Sequence, residues 1–140
     1  MAEEVGRLLG VAGVVVVTGG LGGVMAAACR GARSAGGRTV GVLPGRDRAA
    51  ANEWVEIALP TGLAELRNAL VVSAADAVIA IGGSWGTLAE IALARRAGRP
   101  VIGLHTWTIG DEHGQAVAAG VVAAKDPADA VALVLDPRSR

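Results

Sequence analysis

A glycine-rich stretch in the middle of the chain combines the residue types that bind an anion. Gly82-Gly83-Ser84-Trp85-Gly86-Thr87 follows an apolar run, Ala77 to Ile81, that is typical of a strand buried on both faces. Ser84 or Thr87 can cap the helix that the apolar periodicity after the turn predicts. Free backbone N–H groups and the positive end of the helix dipole meet at this turn, which therefore predicts an anion-binding site.

Two charged side chains are placed to act beside this turn. Glu90 lies one turn inside the predicted helix, and Arg67 lies on the helix predicted before the strand. An arginine can hold a phosphate or a ribose through its planar fork of donors, whereas a carboxylate is better suited to orient a sugar hydroxyl, a base or a water. The alternatives are a surface arginine or a simple Arg67–Glu90 ion pair. Asn68 either adds hydrogen bonds or faces solvent.

A second glycine-rich turn follows an earlier predicted strand. Val14 to Val17 precedes Thr18-Gly19-Gly20-Leu21-Gly22-Gly23, and a helix is predicted from Val24 to Ser34. Both turns would lie at the carboxyl edge of one parallel sheet, where ligands bind in open α/β folds. Glycines that only permit tight packing are the alternative for either turn. The presence of two such turns favours a ligand that carries a phosphate.

Missing motifs narrow the class of ligand. Met25 stands where the dinucleotide motif G-x-G-x-x-G requires its third glycine, the second strand ends at Pro44 instead of a carboxylate, and no P-loop motif occurs. His105 and His113 lack the close spacing of a helical metal site, so no metal is predicted. No cofactor is predicted either. A mononucleotide or another small phosphorylated compound is the expected partner.

The composition is that of a domain with an aliphatic core. The 140 residues are 52% apolar, with three Trp but no Phe or Tyr. The 13 basic and 13 acidic residues are spread along the chain, which argues against a nucleic-acid partner. We expect a cytoplasmic protein with no membrane partner, because the sequence shows neither a membrane-length apolar run nor a signal-peptide pattern. Cys29 is expected to be a packed, inert thiol.

Predicted strands and helices alternate along the whole chain. Further strands are predicted at 39–43, 55–59, 101–104 and 121–123, and further helices at 1–10, from Thr61 as N-cap through Val71, and at 127–135. This order predicts an α/β fold with three layers, in which a Rossmann-like, doubly wound and mostly parallel sheet has helices on both faces. Residues 1–140 are expected to form a single nucleotide-binding domain.

Several segments in combination resemble the LOG-like family, and more closely its bacterial branch related to the molybdenum cofactor carrier protein. The segments lie at 19–25, 30–37, 41–45, 60–63, 67–70, 73–94 and 103–107. The founding members are nucleotide 5′-monophosphate phosphoribohydrolases, which split the N-glycosidic bond of an AMP-type cytokinin nucleotide. The resemblance thus implies this hydrolysis as one function. The carrier-like relatives imply the alternative, a pocket that holds molybdenum cofactor or a related pterin phosphate without cleaving it.

The resemblance also implies roles for individual residues. The family signature P-G-G-x-G-T-x-x-E begins at Gly82, which replaces its Pro, and ends at Glu90, while the family's catalytic arginine falls on Arg67. Ser84 replaces the second glycine and Asn68 replaces a lysine, changes that leave the anion cradle intact but weaken the case for hydrolysis. Arg67 and Glu90 are the implied catalytic residues. The implied ligand-binding residues are Gly19, Gly20, Gly22, Gly23, Met25, Pro44, Asn68, Gly82, Gly83, Ser84, Trp85, Gly86 and Thr87.

Two expectations concern the whole assembly. Family members are commonly dimers, and we expect a homodimer through helix faces rich in Ala and Leu. Family members also begin with a strand ahead of the helix at 1–10, which in a doubly wound order lies between the strands at 14–17 and 77–81. We therefore expect residues 1–140 to be a fragment that lacks this central strand and roughly 20–40 residues at its amino end. Direct pairing of those two strands would contradict this expectation.

Overall fold

The computed structural model describes residues 1–113 and 120–136. In this part of the chain, strands and helices alternate as expected. The strands are β1 (Val16–Thr18), β2 (Thr39–Leu43), β3 (Ile57–Pro60), β4 (Val78–Ile81), β5 (Val101–Leu104) and β6 (Val121–Ala123). The helices are α1 (Ala2–Val11), α2 (Val24–Ser34), α3 (Asn68–Ser73), α4 (Trp85–Arg96) and α5 (Pro127–Leu135). Two short 3₁₀ turns, Arg48–Ala50 and Ala64–Arg67, complete the described elements.

The strands form two parallel sheets of three strands each. One has the order β1-β2-β3 and the other the order β4-β5-β6. Val17 lies opposite Val40 in the first sheet, and Ile79 lies opposite Ile102 in the second. All the described pairings are parallel, as expected for apolar strands joined by helices, and the α/β, Rossmann-like class is confirmed. Within the described residues β1 and β4 are not paired with each other.

An aliphatic core lies between the sheets and the helices that cover them. Leu43 in β2 and Leu104 in β5 are completely buried, because β2 and β5 are the middle strands of their sheets. Cys29 of α2 is also completely buried, and this burial raises the pKa of its thiol. The thiol is therefore packed and protonated, as expected from its small apolar neighbours. None of the described helices is both long and apolar enough to span a bilayer.

The largest departure from the predicted elements lies between β3 and β4. The helix expected to start at Thr61 is instead the second 3₁₀ turn followed by the short α3. Gly62 and Ala64 have φ values of 68° and 48°, a left-handed backbone that cannot continue a right-handed helix. The Thr61 hydroxyl donates to the Leu43 carbonyl at 2.7 Å, so this side chain ties the segment to β2 instead of capping a helix.

Candidate functional site

The turn after β4 leads directly into the amino end of α4. Gly82 has a φ of 76°, and its carbonyl accepts a hydrogen bond from the Thr106 hydroxyl at 2.5 Å. Ser84 is the N-cap, since its Oγ accepts the N–H of Thr87 at 3.1 Å. The other N–H groups of the first helical turn have no partner within the helix, which leaves them available to an anion. Between the two capping residues that the sequence suggested, the structure selects Ser84.

The turn after β1 is held in place by side chains on both sides. The Gly20 N–H donates to the Thr18 hydroxyl at 3.1 Å, and the Asn52 amide donates to the carbonyls of Gly20 and Leu21 at 3.2 and 2.8 Å. Gly20 has a φ of 75°, and a Cβ there would lie 2.7 Å from Leu43. Asn52 is not among the predicted site residues, because it lies in a polar loop with no motif of its own.

Arg67 brings the positive charge of the site to the first turn. The residue is only 8% exposed, and its guanidinium covers Gly19 so closely that a Cβ at Gly19 would lie 2.5 Å from both terminal nitrogens. Its Nη1 donates to Oδ1 of Asn68 at 2.8 Å, whereas its buried Nε has no hydrogen-bond partner among the described residues. A buried donor is nearly always paired, so this nitrogen is an exception among the described residues, as is Nε of Arg99.

Glu90 faces Arg67 from the first turns of α4. Its Oε1 lies 3.8 Å from Nη1 of Arg67, which is too long for a hydrogen bond, and its side chain is 28% exposed. Burial raises the pKa of Glu90, and the charge of Arg67 only partly opposes this rise. The carboxyl group therefore holds a proton more readily than an exposed glutamate does. It can donate or accept a hydrogen bond at a ligand, depending on pH.

A cavity of about 1070 Å³ connects these groups. It lies between β1 and β4 and extends to the two glycine-rich turns that follow the carboxyl ends of these strands. The residues from the sequence analysis that line it are Gly19, Met25, Pro44, Arg67, Asn68, Gly82, Gly83, Ser84, Gly86, Thr87 and Glu90. Most of the candidate residues are thus brought together around one space.

Four candidate residues do not line the cavity. Gly20, Gly22 and Gly23 belong to the first turn, in which Gly20 and Gly23 have positive φ values. Trp85 is 77% exposed and packs against Trp107 with the rings tilted by 37° and their centroids 5.2 Å apart. The Trp107 Nε1 donates to the Ser84 carbonyl at 3.0 Å, so this pair supports the turn from its outer side. In the described part of the chain no three His, Cys, Asp or Glu side chains converge as metal ligands would.

The fold and the sequence are similar to those of known proteins. The molybdenum cofactor binding protein of the phototrophic bacterium Rippkaea orientalis is 37% identical, with a TM-score of 0.86 over 95% of this chain and 83% of its own. The molybdenum cofactor carrier protein of Chlamydomonas reinhardtii is 36% identical, with a TM-score of 0.85 over 100% of this chain and 87% of its own.

A third relative and a family model also match this chain. An uncharacterised protein of Archaeoglobus fulgidus is 41% identical over 104 residues, which is 74% of this chain and 68% of that protein. The resemblance that the glycine-rich motifs indicated is thereby confirmed. A model described as the SLOG cluster4 family matches residues 1–131, so the chain belongs to the SLOG cluster4 family.

Proposed function

We propose that this protein is a carrier that binds molybdenum cofactor or a related pterin phosphate and does not cleave it. The observation that carries the proposal is Arg67, a nearly buried cation that lines the same cavity as the amino end of α4. The phosphate would accept hydrogen bonds from Arg67 and from the backbone N–H groups after Ser84. The solved relatives from Rippkaea orientalis and Chlamydomonas reinhardtii support a pterin-type ligand through their stated binding and carrier roles.

A second candidate function is the nucleotide 5′-monophosphate phosphoribohydrolase reaction. It is favoured by the position of Glu90, whose carboxylate lies 3.8 Å from Arg67 and lines the same cavity. In that reaction water adds to C1′ of the ribose while the base leaves with a proton, and Glu90 would stabilise the positive charge that develops on the sugar or activate the water. The replacement of the family's lysine by Asn68 removes one cation from this machinery.

One experiment separates the two functions. Protein purified gently is examined by mass spectrometry for a bound pterin, and a second sample is incubated with AMP and assayed for free adenine. A bound pterin without adenine release supports the carrier. Adenine release that is abolished in Glu90→Gln contradicts it and supports the hydrolase.

Binding is then tested with variants. Arg67→Ala should lose the rise in melting temperature (Tm) that AMP or sulfate produces, whereas Arg96→Ala, an exposed arginine at the far end of α4, should keep it. If neither probe nor molybdenum cofactor stabilises the wild-type protein, both functions are rejected.

We also infer that the protein assembles as a homodimer. Leu63, Leu66 and Leu70 are exposed along the segment that leads into and forms α3, and Trp85 is exposed at the start of α4. Large apolar side chains left exposed favour association with another copy. The cytoplasmic location and the lack of a nucleic-acid partner stay predictions from the sequence.

A further inference from the structure

The segment that follows β5 holds the turn after β4 by two side-chain hydrogen bonds. The Thr106 hydroxyl donates to the Gly82 carbonyl at 2.5 Å. The Trp107 Nε1 donates to the Ser84 carbonyl at 3.0 Å, and the same carbonyl accepts the Leu88 N–H at 3.1 Å inside α4. Neither Thr106 nor Trp107 lines the cavity. The two bonds therefore direct the carbonyls of Gly82 and Ser84 toward side chains outside the cavity wall.

The same bonds fix the direction of two backbone N–H groups. In a trans peptide, the C=O of one residue and the N–H of the next point in opposite directions. The Gly83 N–H is therefore directed away from Thr106. The Trp85 N–H is likewise directed away from Trp107. In the described part of the chain neither N–H donates to a protein acceptor. Both N–H groups are thus free for a ligand on the side of the turn opposite the β5 segment.

The path of the backbone after β5 brings both donors to the same turn. Successive residues of a strand point to opposite sides, so an extended chain would not direct two neighbouring side chains to one target. His105 has a φ of 49°, a left-handed conformation that is uncommon outside glycine, and it bends the chain directly after Leu104. A Cβ at Gly103 would lie 2.9 Å from the Thr106 methyl group, so glycine there leaves room for Thr106 beside β5.

Packing on two sides holds the Trp107 ring. The ring packs against the apolar cluster under α4 that includes Ala80 and Ile91. Trp85 packs against it as well, with the ring centroids 5.2 Å apart. The indole N–H therefore belongs to a ring that is held by its neighbours, and such support is what a residue needs to orient another group.

We propose that Thr106 and Trp107 are positioning residues for the anion at this turn. They hold the carbonyls of Gly82 and Ser84 away from the cavity, so that the N–H groups of Gly83 and Trp85 face the ligand. If either peptide rotated, a partly negative carbonyl oxygen would replace a donor at the anion. The inference rests on the proposed function, which places a phosphate at this turn.

The first test measures sulfate affinity by calorimetric titration. Thr106→Val keeps the shape of the side chain and removes the hydroxyl, and Trp107→Phe keeps an aromatic ring and removes the N–H. Each should weaken sulfate binding about fivefold or more, because each removes one hydrogen bond that orients a donor. Thr106→Ser should bind like wild type, since it keeps the hydroxyl. Thr108→Val, at the exposed threonine nearby, is the matched control and should also bind like wild type.

The second test gives a readout that a purely structural role would not change. In the wild-type protein, sulfate should shift the backbone amide resonances of Gly83 and Trp85 in NMR spectra. Thr106→Val should lose most of the shift at Gly83 and keep that at Trp85, whereas Trp107→Phe should show the reverse. A general loss of stability would lower Tm without this residue-specific pattern. Thr106→Ala takes the place of Thr106→Val if valine prevents folding.

The outcomes separate this inference from the proposed function. If Thr106→Val and Trp107→Phe bind sulfate as wild type does and keep both amide shifts, the positioning role is wrong and the anion site stands. If Thr106→Ser binds as weakly as Thr106→Val, the hydroxyl is not responsible and the inference is likewise overturned. If sulfate shifts neither amide in the wild-type protein, the anion site itself is rejected, and the positioning role with it.

Discussion

Arg67 depends on a single glycine for its position in the candidate site. A Cβ at Gly19 would fall 2.5 Å from the guanidinium, and because this is the far end of a flexible side chain, Gly19→Ala should displace Arg67 without unfolding the protein. Hydrogen bonds to a charged group contribute about 1.5–3 kcal/mol, so sulfate should bind at least about tenfold more weakly by calorimetric titration. Gly22→Ala is the matched control, since a Cβ there meets open space. Equal sulfate affinity in wild type and Gly19→Ala would show that Arg67 does not bind the anion.

Glu90 should make anion binding depend on pH. Burial raises the pKa of Glu90 above its ordinary value of 4.5, so its negative charge disappears at a higher pH than in an exposed glutamate. Sulfate stays fully charged across this range, and its affinity should rise as the pH is lowered through the pKa of Glu90. Glu90→Gln should bind sulfate with high affinity at all these pH values, whereas Glu53→Gln, at an exposed position, should behave like wild type. A pH dependence that persists in Glu90→Gln would assign it to another group.

The same raised pKa has a consequence for stability. The folded protein holds the Glu90 proton more tightly than the unfolded chain does, so this residue favours folding at low pH and the contribution is lost as the pH rises from 4.5 through the folded pKa. Glu90→Gln should therefore have a higher Tm than wild type at pH 7. The difference should shrink as the pH falls through the folded pKa of Glu90 toward 4.5. A lower Tm for Glu90→Gln at pH 7 would mean that pairing with Arg67 outweighs the cost of burial.

At the scale of elements, the closest contact is between α1 and α2. A Cβ at Gly31 would collide with the backbone of Glu3 and Arg7 on the facing helix, so the two helices approach as closely as glycine allows. Alanine in a helix is intrinsically about 1 kcal/mol better than glycine, but the collision is with backbone and cannot be relieved by a rotamer change. Gly31→Ala should thus lower the free energy of unfolding by roughly 1–3 kcal/mol in urea titrations.

Gly86→Ala is the control for this helix contact. Its Cβ would lie 3.6 Å from the Ser84 hydroxyl, an ordinary contact inside α4, so its stability should equal or exceed that of wild type. If Gly31→Ala is also stabilising, α1 does not pack on α2 at the distance described.

At the scale of the whole molecule, the exposed leucines make the assembly state testable. Leu66 is 77% exposed, and Leu63, Leu70 and Trp85 are exposed as well. Leu66→Glu should convert a dimer into a monomer, because a charge buried without a partner in an interface is strongly unfavourable. Val11→Glu, at an exposed position at the end of α1, should leave the dimer intact. Light scattering at micromolar concentration gives the mass, and a monomeric wild-type protein would contradict the dimer.

The sequence by itself determined the local structure and the family of this protein. The strands at 39–43 and 101–104 and the α2 boundaries were predicted at their observed positions, because apolar periodicity and terminal glycines act over a few residues. The helix predicted at 127–135 is also observed at those bounds, with the Asp126 side chain accepting the Asp129 N–H as its cap. These features depend on near neighbours in the chain, so the sequence is enough to reveal them.

The tertiary structure alone decided what surrounds each functional group. Three features of the site depend on residues that are far apart in the chain. They are the approach of Arg67 to Gly19, the support of the first turn by Asn52, and the burial that raises the pKa of Glu90. The broken helix after Thr61 likewise depends on the bond from Thr61 to β2, which no local pattern encodes. Burial and pairing are properties of the packed molecule, and they determine which side chains surround the cavity beside Arg67.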